Sequence, residues 1–133
     1  MANVTRYNAK ECSVIVDGTY ITGLGESMIS WSKEEAFFEP VVGAQGDVVK
    51  SEINNDIHNL TITVQPTSPQ FRFLLELSKR KDSFPVWVIN KSLGIRLGGT
   101  QGNIMEAPEI ALSSSAEDLE FVICVFDGVT EVA

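Results

Sequence analysis

Residues 60–90, LTITVQPTSPQFRFLLELSKRKDSFPVWVIN, constrain this chain more than any other stretch, because a period-two strand runs into a helix and then into a second strand. Leu60, Ile62 and Val64 alternate with Thr61, Thr63 and Gln65, the pattern of a strand with one buried face. Ser68 offers a hydroxyl to a free amide of the first helical turn, and Pro69 suits the first helical position. Phe71, Leu74, Leu75 and Ser78 then recur at helical spacing, with Phe73 and Leu77 widening the apolar stripe. On the opposite side Arg72, Glu76 and Arg80 are spaced for i,i+4 ion pairs worth ~0.2–0.5 kcal/mol each. Lys79, Arg80 and Lys81 complement the negative end of the helix dipole, and Pro85 prevents continuation. The expected helix covers residues 69–81 and is the one convincing helix of the chain.

Everything else reads as β structure. Residues 12–16 meet Asp17-Gly18, a pair suited to a type I′ hairpin turn, and residues 19–21 return. Residues 23–26 read as a loop. Residues 28–34 alternate as a strand that 36–42 extends, except that Pro40 bars a central ladder position. Residues 41–49 read as a mobile stretch with two glycines, unusually apolar for a surface loop because the pairs Val41-Val42 and Val48-Val49 flank it. Residues 48–53 re-enter the sheet. Residues 84–89 are apolar on both faces, so a single layer of core cannot cover them. A short strand around Ile95 and Leu97 leads to a flexible glycine loop at 98–102. A return at 104–112 is interrupted by Pro108, and a final strand at 119–126 is again apolar on both faces. The expected fold is mainly β, a β-sandwich or incomplete antiparallel barrel of about eight strands with one flanking helix, in a single domain spanning 1–133. A monomer of this kind leaves open edges and apolar patches, which self-assembly covers.

Charge adds a second constraint. The chain has 18 acidic and 10 basic residues, a net charge of −8, but residues 69–82 hold four basic and two acidic ones. The remainder therefore carries −10. A basic island on an acidic body argues against ordinary nucleic-acid binding, which needs a basic footprint. Cys12 and Cys124 lie far apart in apolar strands, and no secretory apolar core precedes Tyr7, so buried free thiols and folding in a reducing cytoplasm are expected. No apolar run approaches the ~18 residues of a membrane span. His58 is the one histidine and reads as a strand-edge residue. Glu34-Glu35 and Glu117-Asp118 are sequence neighbours that a strand would point to opposite faces, which makes them poor catalytic dyads. The glycine clusters lack a phosphate-binding lysine. No enzyme, cofactor or metal is expected.

Three features in order and spacing resemble the tail tube proteins of contractile-tailed bacteriophages, within the superfamily that includes type VI secretion tubes. They are the Val16-Asp17-Gly18 hairpin with Ile21-Thr22-Gly23, then Gly46-Asp47-Val48-Val49-Lys50-Ser51 ahead of a strand, and Thr67-Ser68-Pro69 opening the helix that leads to Phe84-Pro85-Val86. Together they span nearly the whole chain, which departs from the family pattern at 98–106, where relatives carry a more aromatic segment. The resemblance implies a structural virion protein, assembled in the bacterial host cytoplasm, that forms hexameric rings stacked into a tube. Its partners would be other copies of itself and the tail sheath, baseplate and tail terminator, with DNA sliding through an acidic lumen without specific binding and no membrane involved. It further implies Glu34, Glu39, Asp47 and Glu52 as lumen or stacking positions, 39–51 as the ring-stacking loop, and Arg72, Glu76, Lys79 and Arg80 as the outer helix face. Two other readings stand beside it: a type VI secretion or other contractile injection tube, and a monomeric β-sandwich binding module with Trp31 or Trp87 as a ligand platform. Several strands are apolar on both faces, so the strands that line a lumen are not distinguishable at this level.

Overall fold

Asp17 and Gly18 both adopt positive φ, 50° and 79°, the twist that a two-residue hairpin requires. They join β1 (Cys12–Val16) to β2 (Thr19–Ile21). The chain continues through β3 (Leu24–Lys33), β4 (Phe38–Val42), β5 (Val48–Glu52), β6 (His58–Val64), α1 (Phe71–Leu77), β7 (Phe84–Asn90), β8 (Ile95–Glu106), β9 (Leu119–Val125) and β10 (Val129–Val132). The computed structural model describes residues 3–106 and 108–132. Eight strands form one antiparallel sheet in the order β2-β1-β7-β8-β9-β6-β3, with β10 beside β8, while β4 and β5 pair only with each other.

The long strand β8 turns this sheet into a sandwich. Its first part, Ile95–Gly98, lies between β7 and β10; pairing with β7 continues to Gly102, where β9 takes the place of β10 and continues alone along the rest of the strand. One layer is therefore β2-β1-β7 with the start of β8 and β10, and the other is the end of β8 with β9-β6-β3. Val14, Val16, Val86 and Val88 from the first layer share one core with Leu60, Ile62, Phe121 and Ile123 from the second, all at most 1% exposed. Trp31 Nε1 donates to Thr130 Oγ1 at 2.9 Å, tying the β3 end of the sheet back to β10.

Several sequence expectations change here. The glycine run expected to be a flexible loop is the middle of β8, where neighbouring strands crowd its backbone: β7 at Gly98 and the end of β9 at Gly99. A Cβ on Gly98 would overlap the Val86 carbonyl oxygen, and one on Gly99 would come within 2.5 Å of Val125 Cγ1. The expected loop at 23–26 lies largely within β3, which bulges between Leu24 and Ile29. The strand does not extend through 36–42, and 48–53 does not rejoin the main sheet. Both belong to the separate hairpin, whose strands are edges and so accept Pro40. The expected return at 104–112 includes Ala107, which lies outside the described residues; β8 is described to Glu106, and residues 108–112 have no regular structure. The strand β10 has no counterpart in the sequence expectation. Nor are β7 and β9 fully buried on both faces, since Trp87, Ile89, Val122 and Cys124 are only half-buried.

The helix is shorter than 69–81. Pro69 lies in a turn ahead of it, and Ser68 Oγ accepts from the Gln70 amide at 3.3 Å while donating to the Thr22 carbonyl. At the other end Ser78 Oγ donates to the Leu75 carbonyl at 2.6 Å, and the Lys79 and Arg80 amides take carbonyls three residues back, so the turn tightens and the helix stops. Arg80 does not pair with Glu76; its Nη1 lies 2.6 Å from Asp17 Oδ2. At the N-terminal side Gln70 Oε1 accepts from both the amide and the hydroxyl of Thr22. Thr22 and Asp17 bracket β2, so α1 runs beside that edge strand. Seven residues of helix and three of strand each span about 10 Å. Leu74 and Leu77 enter the core, and the helix covers an edge that would otherwise be open to pairing.

Asp127 clamps the bend of β8. Partial burial raises its carboxyl pKa, but the Thr100 hydroxyl and the Gln101 and Thr100 amides all donate to it and together hold it below the ordinary 3.8. A folded-state pKa below the unfolded one contributes stability that is present above the unfolded value and lost as pH falls through the folded one. The stability gap between the native protein and Asp127→Asn, measured by urea denaturation, is therefore expected to be constant near neutrality and to close as pH drops below about 4. A gap that stays constant from pH 6 to pH 3 contradicts this role.

Candidate assembly surfaces

Cross-strand registers define which side chains share a face. In the β3-β6-β9-β8 layer, Ser32, Asn59, Cys124 and Asn103 form one row, and Ser30, Thr61, Val122 and Glu106 form the next. Thr63 and Glu120 follow. These positions alternate with the core residues Leu60, Ile62, Phe121 and Ile123, so the rows lie on the outer face. Glu34 stands close to Cys124, whose pKa is raised first by burial and then by the Glu34 charge. This face thus carries small hydroxyl and amide side chains and three carboxylates around Cys124 and Val122, and its rows contain no lysine or arginine.

The outer face of the other layer has the opposite chemistry. Tyr20, Ile15 and Trp87 make one row, and Ser13, Ile89, Arg96 and Glu131 the next. Tyr20 is 63% exposed, and the Arg96 guanidinium lies 4.0 Å above the Trp87 ring. An apolar and aromatic row on an outer face is the kind of patch that a neighbouring chain covers.

The β4–β5 hairpin is unpartnered. Val42 pairs with Val48 and Val41 with Val49, and all four are between 52% and 66% exposed. Gly43 N–H donates to the Asp47 carbonyl and Gly46 N–H to the Gly43 carbonyl, closing the tip with Gly46 at φ 91°. Lys50 Nζ sits 4.9 Å above the Phe38 ring at the base. Pairing alternation puts Phe38, Pro40, Val42, Val48, Lys50 and Glu52 on one face, and Glu39, Val41, Val49 and Ser51 on the other.

The structure separates the acidic residues that the sequence grouped. Glu34 joins the polar sheet face. Glu39 and Glu52 lie on opposite faces of the hairpin, and Asp47 is at its tip. Glu106 and Glu120, which share the sheet face with Glu34, escaped sequence reasoning because a carboxylate's face depends on strand register. Arg72, Glu76, Lys79 and Arg80 are exposed on or just beyond α1, with Arg80 held by Asp17. Cys12 and Cys124 are free thiols, as expected, but half-buried rather than buried. Neither tryptophan is an open platform. Trp31 stacks on His58 with ring centroids 4.5 Å apart, and Trp87 is covered by Arg96. His58 Nδ1 is 2.8 Å from the Asp56 carbonyl oxygen. Among the described residues no group of three or more His, Cys, Asp or Glu side chains is placed to hold a metal, and no helix is long and apolar enough to cross a membrane.

These features define a mainly β chain, one helix against a folded antiparallel sheet, whose distinctive chemistry lies on broad surfaces. No protein-family model matches the sequence, and no curated protein does. Solved structures do match the fold over essentially its whole length. A chain of the anti-feeding prophage cap, which terminates that particle's tube, superposes with a TM-score of 0.65 at 10% identity, covering 100% of this chain and 95% of that one. A chain of the sheath–tube complex of the extracellular contractile injection system PVC, in its extended state, gives 0.63 at 10% identity, covering 96% and 93%. A chain of the PVC sheath/tube terminator gives 0.58 at 12% identity, covering 98% and 99%. The fold is therefore one found among tube, cap and terminator components of contractile injection systems.

Proposed function

We propose that this chain is a non-enzymatic structural subunit that assembles with copies of itself into hexameric rings stacked as the hollow tube of a contractile phage tail. The observation that carries this reading is the opposition of the two outer sheet faces. A mainly polar face of serine, threonine and asparagine around Val122 and Cys124, with Glu34, Glu106 and Glu120, suits a channel wall. Its carboxylates repel phosphates and its neutral side chains offer no strong hold, so DNA slides past. The aromatic face then turns outward or towards a neighbouring subunit, and the helix with Arg72, Lys79 and Lys81 belongs to the outer wall, towards the sheath. Closing the sheet into a ring satisfies its remaining edges. Baseplate and terminator proteins would meet the two ends of such a tube in the virion.

A second reading is favoured by the likeness to cap and terminator chains of extracellular injection particles: the same subunit architecture serving a tube, or a tube end, that conducts protein cargo. The monomeric binding-module reading loses support because both tryptophan rings are covered. Negative-stain microscopy and sedimentation of the purified chain test the proposal. Rings or tubes of uniform width with an open centre are the expected result, and a strictly monomeric species at the highest attainable concentration would count decisively against it. Nucleic acid, as opposed to protein, retained in the parent particles' tubes separates the first reading from the second.

A further inference from the structure

A cleft of about 300 Å³ opens between the bulged part of β3 and the β7–β8 pair. Its floor includes Val88 and Leu97, and its walls include Cys12, Ile29 and Leu93. Met28, also on the wall, has φ 31°. A non-glycine residue in that region is strained by about 1–3 kcal/mol, and such strain concentrates where a surface has a task. Glu26 is the one charged residue of the cleft, and among the described residues it is in no ion pair.

We propose that this cleft receives the β4–β5 hairpin of a second copy, with Val42 and Val48 entering the apolar floor and Lys50 pairing with Glu26. The inference rests on the reading of the chain as a self-assembling subunit and identifies the surface that its hairpin meets. Three observations favour a second copy as the occupant. The hairpin face that carries Val42 and Val48 is exposed and has no cover within its own chain. The face's one cation, Lys50, is nearer to Val48 along the strand than its one carboxylate, Glu52, and matches the cleft's single carboxylate; the Lys50 ammonium sits 4.9 Å from the Phe38 ring centroid. Knob and cleft are different parts of one chain, so the contact is heterologous and propagates instead of closing on a two-fold axis, which is what growth along a tube requires.

The test is a charge exchange. Lys50→Glu and Glu26→Lys are each expected to reduce the sedimentable, tubular fraction at low salt at least tenfold, and the double variant to restore it. Singles that assemble like the native protein, or a double variant no better than the folded singles, overturn the docking. A second measurement uses the thiol that nature placed in the cleft. Val48→Cys in a Cys124→Ser background, oxidised by copper phenanthroline, is expected to give a ladder of cross-linked copies that disappears with Cys12→Ser. Tubes that form without the ladder overturn the docking and leave the tube reading intact. Failure of the native chain to form tubes overturns the tube reading and the docking together.

Discussion

Replacing Val48 and Val49 together by aspartate is expected to leave the subunit folded and to abolish tube growth. The two side chains point to opposite faces of the β4–β5 hairpin and make no contribution to the core, where the buried residues come from other strands. Their exposure of 63% and 62% leaves no room for a large folding effect. In the proposed tube the same positions would lose their water. Full burial of a valine stabilises by about 1.5–3 kcal/mol, and an unpaired buried charge costs several more, so each subunit contact would be weakened by a large part of its free energy. Circular dichroism and urea denaturation should match the native chain, while microscopy should show single rings or free subunits. Tubes of normal length from this variant would remove the hairpin from the contact between rings.

Gly98→Val is expected to have the opposite signature, with loss of the fold itself. Gly98 has φ 138°, which only glycine adopts without strain, and a Cβ there would overlap the Val86 carbonyl oxygen and lie 3.0 Å from the Trp87 Cα. Backbone strain of about 1–3 kcal/mol adds to an overpacking cost of about 1–3 kcal/mol. Together these are comparable with the whole stability of a small domain, about 5–15 kcal/mol. The variant should be insoluble or unfold at a much lower urea concentration, and a native-like midpoint would show that β7 and β8 can part at this bend without loss.

The contrast between these two variants marks where local sequence is informative. The strand β6 was legible because its alternation is strict, β7 and β9 because they are short apolar runs rich in β-branched and aromatic residues, and the β1–β2 hairpin because Asp17-Gly18 is a local turn signal. The helix was legible in place but not in length. Its periodicity continues past Leu77, yet the Ser78 hydroxyl and the Arg80–Asp17 pair, 63 residues apart, end it. Gly98 and Gly99 read as a loop because glycine is flexible in isolation. Within the fold the same residues are held between Val86, Val125 and Asp127, contacts that no local pattern encodes. The hairpin read as a loop for a similar reason, since two glycines and Pro40 obscure a ladder that involves only its own two strands.

The candidate site divides in the same way. The valines of the hairpin, the acidic body and the basic helix were visible in the residues themselves. The company each carboxylate keeps was not: Glu34 meets Glu106 and Glu120 on one face, while Glu39 and Glu52 part to opposite sides of a separate hairpin. By itself the sequence determined a mainly β chain with one flanking helix and more apolar surface than one subunit can bury, because alternation, turn chemistry and composition are local properties. The tertiary structure alone decided which face became polar and which aromatic. Period two defines two faces for every strand, but only the order and register of strands distant in sequence bring those faces together.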